Sequence, residues 1–154
     1  MRYRHTFKTF FAVSVLGALL TGASPQALAD NAAEAKPLEL RRIMQELGKN
    51  MQAVTDGISR EDWALVARIA PLIAEHPQPP AGEKMRIMAF IGADMGKFKG
   101  HDEKTHQAAQ ALEQAATRSD GQSVISSFAT LQNSCLACHQ SFRKPFVEHF
   151  YGQR

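Results

Sequence analysis

Residues 135–139 form the stretch Cys135-Leu136-Ala137-Cys138-His139, which contains both cysteines of the 154-residue chain. The pattern C-x-x-C-H is the attachment sequence for c-type haem. On a helix, positions 135, 138 and 139 lie on the same side, so the two sulfurs reach neighbouring vinyl groups of one porphyrin edge while the imidazole reaches the iron. The motif therefore predicts one covalently attached haem c, bound through Cys135 and Cys138, with His139 as an iron ligand.

Other roles for the two cysteines fit the sequence less well. A thioredoxin-type C-x-x-C follows a strand, and no segment here alternates apolar and polar residues as a half-buried strand does. A structural zinc site needs four ligands, whereas this stretch offers two cysteines and one histidine. A disulfide between positions i and i+3 of a helix would be strained.

Helical periodicity continues outward from the motif through most of the chain. Apolar residues recur at i, i+3, i+4 and i+7, which is typical of helices with one buried side. The predicted helices run from Pro37 to a stop at Asp56-Gly57, from a capping box at Ser59–Asp62 through Ala70, from Asp102 to Arg118, and from Gln122 to Lys144. Four principal helices with short connections predict an all-α, antiparallel four-helix bundle that carries its haem near the C-terminus.

Several boundaries depend on proline and glycine. Pro71 is expected to kink or shorten the second helix, and Pro145 to end or bend the last one. The segment 83–98 contains apolar residues at helical spacing but also two glycines, so it is expected to be a helix or an irregular packed segment. Ser119-Asp120-Gly121 is expected to separate the last two helices.

The N-terminal 29 residues have the features of a cleaved secretory signal peptide. A segment with three basic residues precedes a short apolar run, and Ala27-Leu28-Ala29 offers a small-residue cleavage site. The apolar run is too short to span a bilayer, so no membrane span is expected. The mature domain would be residues 30–154 in the periplasm, with 15 basic and 15 acidic side chains remaining. This balance gives no electrostatic argument for a nucleic-acid partner.

The position of the motif in the last helix, with Phe142 and Arg143 one turn after His139, resembles the cytochrome c-prime family, the class II c-type cytochromes. The segment Ile43–Met51 is similar to the first helix of the low-spin, methionine-ligated members. The resemblance covers essentially the whole mature chain. It implies that His139 is the proximal iron ligand and that the first helix faces the other side of the iron.

The resemblance also implies that Met44 is the sixth ligand, since it stands where low-spin members carry theirs. Met51 lies two turns along the same side, about 10 Å away, so only one of the two reaches the iron. The alternative role for Met44 is that of an ordinary core methionine. Met85, Met88 and Met95 have no positional support as ligands and are expected in the core.

The identity of the sixth ligand separates two functions. Histidine and methionine ligation leaves no open site, which suits a one-electron carrier between exported redox proteins. A five-coordinate iron in an apolar pocket instead suits binding of nitric oxide or carbon monoxide, the role attached to cytochrome c-prime itself. An enzyme is not expected, because no polar group of histidine and arginine is placed to cleave an O–O bond.

The remaining polar residues have less specific expectations. Arg143 is predicted to lie beside the proximal side of the haem, where it tunes the potential or approaches a propionate; the alternative is a solvated cation. Arg41 and Arg42 are expected at the surface, and Gly48 is expected to allow a close approach of the ring or of a neighbouring helix. The other histidines show no ligand-like grouping and are expected to be surface or structural residues; they are His76, His101, His106 and His149. Family members are often homodimers through their first two helices, so a homodimer is compatible with the resemblance.

Overall fold

The structure is a computed structural model that describes residues 38–152. Five α-helices follow one another in this part of the chain: α1 Glu39–Ser59, α2 Trp63–Ala74, α3 Ala81–Ile91, α4 Met95–Thr117 and α5 Gly121–Tyr151. A single 3-10 turn, Gly92–Asp94, joins α3 to α4, and residues 38–152 contain no strand. The predicted signal peptide, residues 1–29, lies outside the described residues.

The four long helices α1, α2, α4 and α5 form the bundle, which confirms the predicted all-α fold. Each packs on its neighbour in sequence, α1 on α2, α2 on α4 and α4 on α5, whereas α1 and α5 touch only slightly. Short turns at residues 60–62 and 118–120 reverse the chain. No helix between residues 38 and 152 is both long enough and apolar enough to cross a bilayer.

Two groups of buried side chains hold the helices together. The main core lies along the bundle and receives side chains from all four long helices, among them Val54, Val66, Leu112, Val124 and Leu131. The aromatic end cluster lies where α3 meets the ends of α1 and α5; it comprises Leu38, Ile87, Ile91 and Phe146, with Phe90, Phe98, Phe142 and Phe150 packed against them. Burial of these apolar side chains is the main stabilising contribution to the fold.

The structure corrects the predicted start of α2. Ser59 is not an N-cap, because α1 continues through it and its Oγ donates to the carbonyl oxygen of Thr55 at 2.8 Å. The cap is Asp62, whose Oδ1 accepts from the backbone N–H of Leu65 at 2.9 Å. The expected stop at Gly57 is also wrong, since this buried glycine lies inside α1 against α2.

Pro145 was expected to end or bend the last helix, and the structure shows that it does not end it. Helix α5 continues to Tyr151 with Pro145 inside it. The loss of one backbone hydrogen bond is offset by burial, because Phe146 and Phe150, which follow the proline, pack in the aromatic end cluster. In α2, Pro71 also lies inside the helix, which ends three residues later at Ala74.

The ambiguous segment 83–98 is helical with one interruption. It divides into α3 and the start of α4 at Gly92, whose φ of +56° is a backbone conformation that favours glycine. Helix α4 begins at Met95, seven residues before the predicted start. Met85 and Met88 are exposed rather than in the core, because α3 buries only the side that carries Ile87 and Ile91.

Candidate functional site

Helix α5 places both cysteines and His139 on neighbouring turns. Cys135 and Cys138 are free thiols with half-buried side chains, whereas His139 is exposed. Because the three residues follow the spacing i, i+3 and i+4 within one unbroken helix, they share one side of it. This arrangement is the one that attachment of a porphyrin through two thioethers requires.

The position of Cys135 is fixed by its surroundings. It packs against the main core. The preceding residue, Ser134, is buried and donates through Oγ to the carbonyl oxygen of Leu131 at 2.8 Å. The same Oγ lies 3.1 Å from Thr105 Oγ1 of α4, within hydrogen-bond distance. Helix α5 is therefore held to α4 next to the first cysteine.

The surroundings shift the pKa of all three site residues. Burial raises the pKa of the Cys135 thiol. Burial, followed by the negative charges of Asp102 and Cys135, raises the pKa of Cys138 to about 11. Burial, followed by the positive charge of Arg143, lowers the pKa of His139. The folded chain thus presents two protonated thiols and an imidazole that is biased toward its neutral, metal-binding form.

The side of the site beyond Cys138 is aromatic. Phe142 contacts Phe98 of α4 edge to face, with ring centroids 5.3 Å apart, and the His101 ring lies 6.0 Å away. His101 Nε2 is buried and has no hydrogen-bond partner among the described residues. Lys97 Nζ lies 5.7 Å from the centroid of the Phe142 ring. An apolar surface with one unpaired buried nitrogen is compatible with a large, mostly apolar cofactor at this position.

Met44 lies on α1 and is 41% exposed, although its neighbour Ile43 is fully buried. Leu47 and Met51, which share its side of the helix in the sequence pattern, are partly buried against the main core. The two methionines therefore differ: the Met51 side chain is packed within the protein, and the Met44 side chain is accessible. Helix α1, which carries Met44, touches α5 only slightly.

The three arginines considered from the sequence are all exposed. Arg143 lies four residues after His139 and acts on it through charge, as its effect on the imidazole pKa shows. Arg42 pairs with Glu39 of the same helix, and the Arg41 guanidinium lies over the Tyr151 ring at 5.5 Å. Arg41 and Arg42 are thus surface residues, as expected.

Two features near the site were missed by sequence reasoning. Asp102 of α4 approaches Cys138 closely enough to raise its pKa. His76 and His106 meet at the same aspartate, so the expectation that these histidines form no ligand-like group is wrong. Part of this group was visible in the sequence, since Asp102 and His106 have the i, i+4 spacing that places them on one side of a helix. His76 joins them only through the packing of α2 on α4.

The comparison with family models supplies the decisive match. The model described as Cytochrome C' matches residues 36–143, more than two thirds of the chain and a span that includes the whole C-x-x-C-H motif. The chain belongs to the cytochrome c' family. A curated relative, the cytochrome c' of Pararhodospirillum photometricum, is 34% identical over 82 residues. That alignment covers 53% of this chain and 66% of the relative, slightly under two thirds of the relative's length.

Membership confirms the coarser predictions from the sequence. Cytochrome c' proteins are four-helix bundles that bind haem c, and the chain is a monohaem c-type cytochrome with one covalently attached haem. The family is generally one of haem-binding carriers and ligand-binding proteins. Two thiols and a neutral imidazole on one side of α5 match the chemistry of this cofactor, which bonds to sulfur at its vinyl groups and to nitrogen at its iron.

Proposed function

We propose that this cytochrome c' family member carries single electrons between redox proteins of the periplasm. Cys135 and Cys138 form the thioether bonds, His139 is the proximal iron ligand and Met44 is the sixth ligand. The haem supplies a one-electron ferric–ferrous couple when it is bound. The alternative is a five-coordinate, high-spin protein that binds nitric oxide or carbon monoxide.

The roles of the α5 residues are supported by their fixed positions. This part of α5 is held in place by the hydrogen bond between the Ser134 and Thr105 hydroxyls and by the packing of Cys135 on the main core. The lowered pKa of His139 favours the neutral imidazole that binds iron. Arg143 is the nearest charged residue along the helix, and its positive charge favours reduced over oxidised iron or pairs with a propionate.

The observation that carries the proposal of electron transfer is the difference between the two methionines of α1. Met51 is engaged with the main core, whereas the thioether of Met44 is accessible on the same helix. A methionine thioether stabilises ferrous iron and, as sixth ligand, leaves no position for an exogenous gas. Met44 is therefore the better candidate, and its ligation would favour a carrier over a gas binder.

Absorption spectroscopy of the haem-loaded protein tests the proposal. We expect sharp low-spin α and β bands after reduction, unchanged by added carbon monoxide. Met44→Ala should give a broad high-spin spectrum that shifts with carbon monoxide. Met51→Ala is the matched control from the same helix, and its spectrum should stay low-spin. A wild-type spectrum that is already high-spin and responds to the gas would replace the carrier with the gas-binding alternative.

The wider context is part of the same proposal. Residues 1–29 act as a cleaved signal peptide, and residues 30–154 form the exported cytochrome domain. The partners are redox proteins of that compartment, a homodimer is compatible with the family, and the protein is not an enzyme. Mass spectrometry of the exported protein checks this directly: the expected mass is that of residues 30–154 plus one haem.

A further inference from the structure

A second polar group lies outside the predicted haem ligands, at the junction of α2 and α4. His76 follows the C-terminus of α2, and Asp102 and His106 lie one turn apart on α4. One ligand atom of each residue lies within 4.8 Å of the other two. The His76 side chain is only 8% exposed, whereas those of Asp102 and His106 are 44% and 28% exposed.

Asp102 stands between the two imidazoles. His76 Nε2 lies 3.2 Å from Asp102 Oδ1, and His106 Nε2 lies 3.7 Å from Asp102 Oδ2. The two imidazole rings are 5.1 Å apart between centroids and inclined at 56°. Both imidazoles therefore direct a nitrogen at the same carboxylate, one at each oxygen.

The hydrogen bonds of His76 require a cation at this point. Its Nδ1 lies 3.2 Å from the carbonyl oxygen of Pro77, and its Nε2 faces the Asp102 carboxylate. Both oxygens are acceptors, yet a neutral imidazole has only one N–H. A second positive centre, either a proton or a metal ion, must lie between His76 Nε2 and Asp102 for both contacts to be favourable.

A proton satisfies only part of the arrangement. It bridges His76 to Asp102 but leaves His106 Nε2 at 3.7 Å from the other oxygen, beyond normal hydrogen-bond length. A metal ion binds all three groups at once. With bonds of about 2.0–2.1 Å in tetrahedral geometry, ligand atoms lie about 3.3 Å apart, which small side-chain rotations achieve here.

We propose that His76, Asp102 and His106 form a binding site for one divalent first-row transition-metal ion with the ligand chemistry of zinc. Two imidazoles and a carboxylate are ligands that zinc prefers, and exposure on the Asp102 side leaves the fourth position to water. The Nδ1–H of His76 donates to Pro77, which fixes the ring with Nε2 free for the metal.

The site is separate from the predicted haem ligands but electrostatically close to them. Asp102 is the residue whose negative charge raises the pKa of Cys138. A bound divalent ion would neutralise that charge beside the second attachment cysteine. The proposal does not depend on the sixth ligand of the haem, because none of its three residues belongs to the C-x-x-C-H motif or to α1.

Isothermal titration of the haem-loaded protein with zinc chloride, in a buffer that does not bind zinc, tests the proposal. We expect one zinc ion per haem. His106→Gln and Asp102→Asn should each weaken binding about tenfold or more, because each removes one of three ligands. His149→Gln is the matched control, since His149 is an exposed histidine stacked on Phe90 at the aromatic end cluster; its affinity should change less than twofold.

The ligand set is checked by X-ray absorption at the zinc edge. Two imidazoles and oxygen ligands at about 2.0–2.1 Å support the site, whereas sulfur at about 2.3 Å would assign the zinc to unattached cysteine and overturn the proposal. The absence of stoichiometric zinc, or equal weakening in His106→Gln and His149→Gln, also overturns it. In that case the group is an ion pair between protonated His76 and Asp102. All variants leave the haem motif intact, so failure here is distinguishable from failure of the electron-transfer proposal.

Discussion

The packing of α1 on α2 can be tested by placing one methyl group at each of two glycines of α1. A Cβ at Gly57 would lie 2.9 Å from Val66 Cγ2 and 3.4 Å from both the Asp62 carbonyl oxygen and Leu65 Cδ2. Val66 is fully buried, and a valine in a helix has essentially one χ1 rotamer, so its methyl cannot rotate away. A Cβ at Gly48 would meet nothing within 4 Å.

The two substitutions are expected to change the free energy of unfolding in opposite directions. Replacing a helical glycine by alanine stabilises a helix by about 0.8–1.0 kcal/mol, a gain that both variants share. Overpacking a buried contact costs about 1–3 kcal/mol, and only Gly57→Ala incurs it. We therefore expect Gly48→Ala to be neutral or stabilising, and Gly57→Ala to have a free energy of unfolding lower than that of Gly48→Ala by about 1–3 kcal/mol.

Urea unfolding of the haem-loaded variants, followed by circular dichroism, measures the difference. The slope with urea should be unchanged, so that the shift in midpoint reports stability. The Soret spectrum serves as a check that the haem environment is retained. Equal stability of the two variants would refute the close approach at Gly57. A loss of haem signal in Gly48→Ala would instead show that the methyl group meets the cofactor, as the sequence interpretation of Gly48 expected.

Two helix N-termini give further predictions. Asp62→Ala should lower the free energy of unfolding by about 1 kcal/mol in urea titrations, because the Asp62 carboxylate accepts from the backbone N–H of Leu65. Asp94→Ala is the control: Asp94 is at an N-cap position without a side-chain hydrogen bond, so its removal should change the free energy by less than about 0.5 kcal/mol. Equal effects of the two substitutions would contradict the capping argument. Hydrogen bonds from the Ser123 hydroxyl and N–H hold the pKa of Asp120 below its ordinary 3.8. The stabilising contribution of Asp120 should therefore be complete above about pH 3.8 and be lost as the pH falls through the lower pKa that Asp120 has in the folded protein. Asp120→Asn keeps a capping side chain that does not titrate, so its stability should lack this pH dependence. Parallel curves of stability against pH for the two proteins below pH 5 would count against the lowered pKa of Asp120.

The sequence predicts the α5 site well because its information is local. Cys135, Cys138 and His139 need only one helix to be brought together, and the i, i+3, i+4 spacing is visible without any tertiary contact. The turn at Ser119-Asp120-Gly121 is equally local, and the structure confirms it: Ser119 has a φ of +54° and Asp120 caps α5. The fold class follows from the same periodicity, summed over four helices.

The wrong boundaries share a different physical cause. Gly57 and Pro145 weaken a helix by local propensity, yet both lie inside helices in the structure. At Gly57 the missing side chain allows α2 to approach, and after Pro145 the packing of Phe146 and Phe150 in the aromatic end cluster offsets the cost of the proline. An interior glycine costs a helix about 1 kcal/mol and an interior proline about 3 kcal/mol, whereas each large apolar side chain that is fully buried contributes about 1.5–3 kcal/mol. Packing of several such side chains therefore overrides both local costs.

The group of His76, Asp102 and His106 could not be predicted from the sequence, because it depends on tertiary packing. The spacing of Asp102 and His106 places them on one side of α4, but spacing of this kind is common on solvated helices and carries little weight alone. The third residue arrives from 26 positions away, after α2 has ended and packed against α4. Since His76 loses most of its solvent contact in that packing, its two ring nitrogens must be satisfied by neighbours, and both neighbours are acceptors. Folding thus places His76 Nε2 and Asp102 where a cation between them is favourable, which is not so in the extended chain. The zinc titration shows whether that cation is a metal ion or a proton.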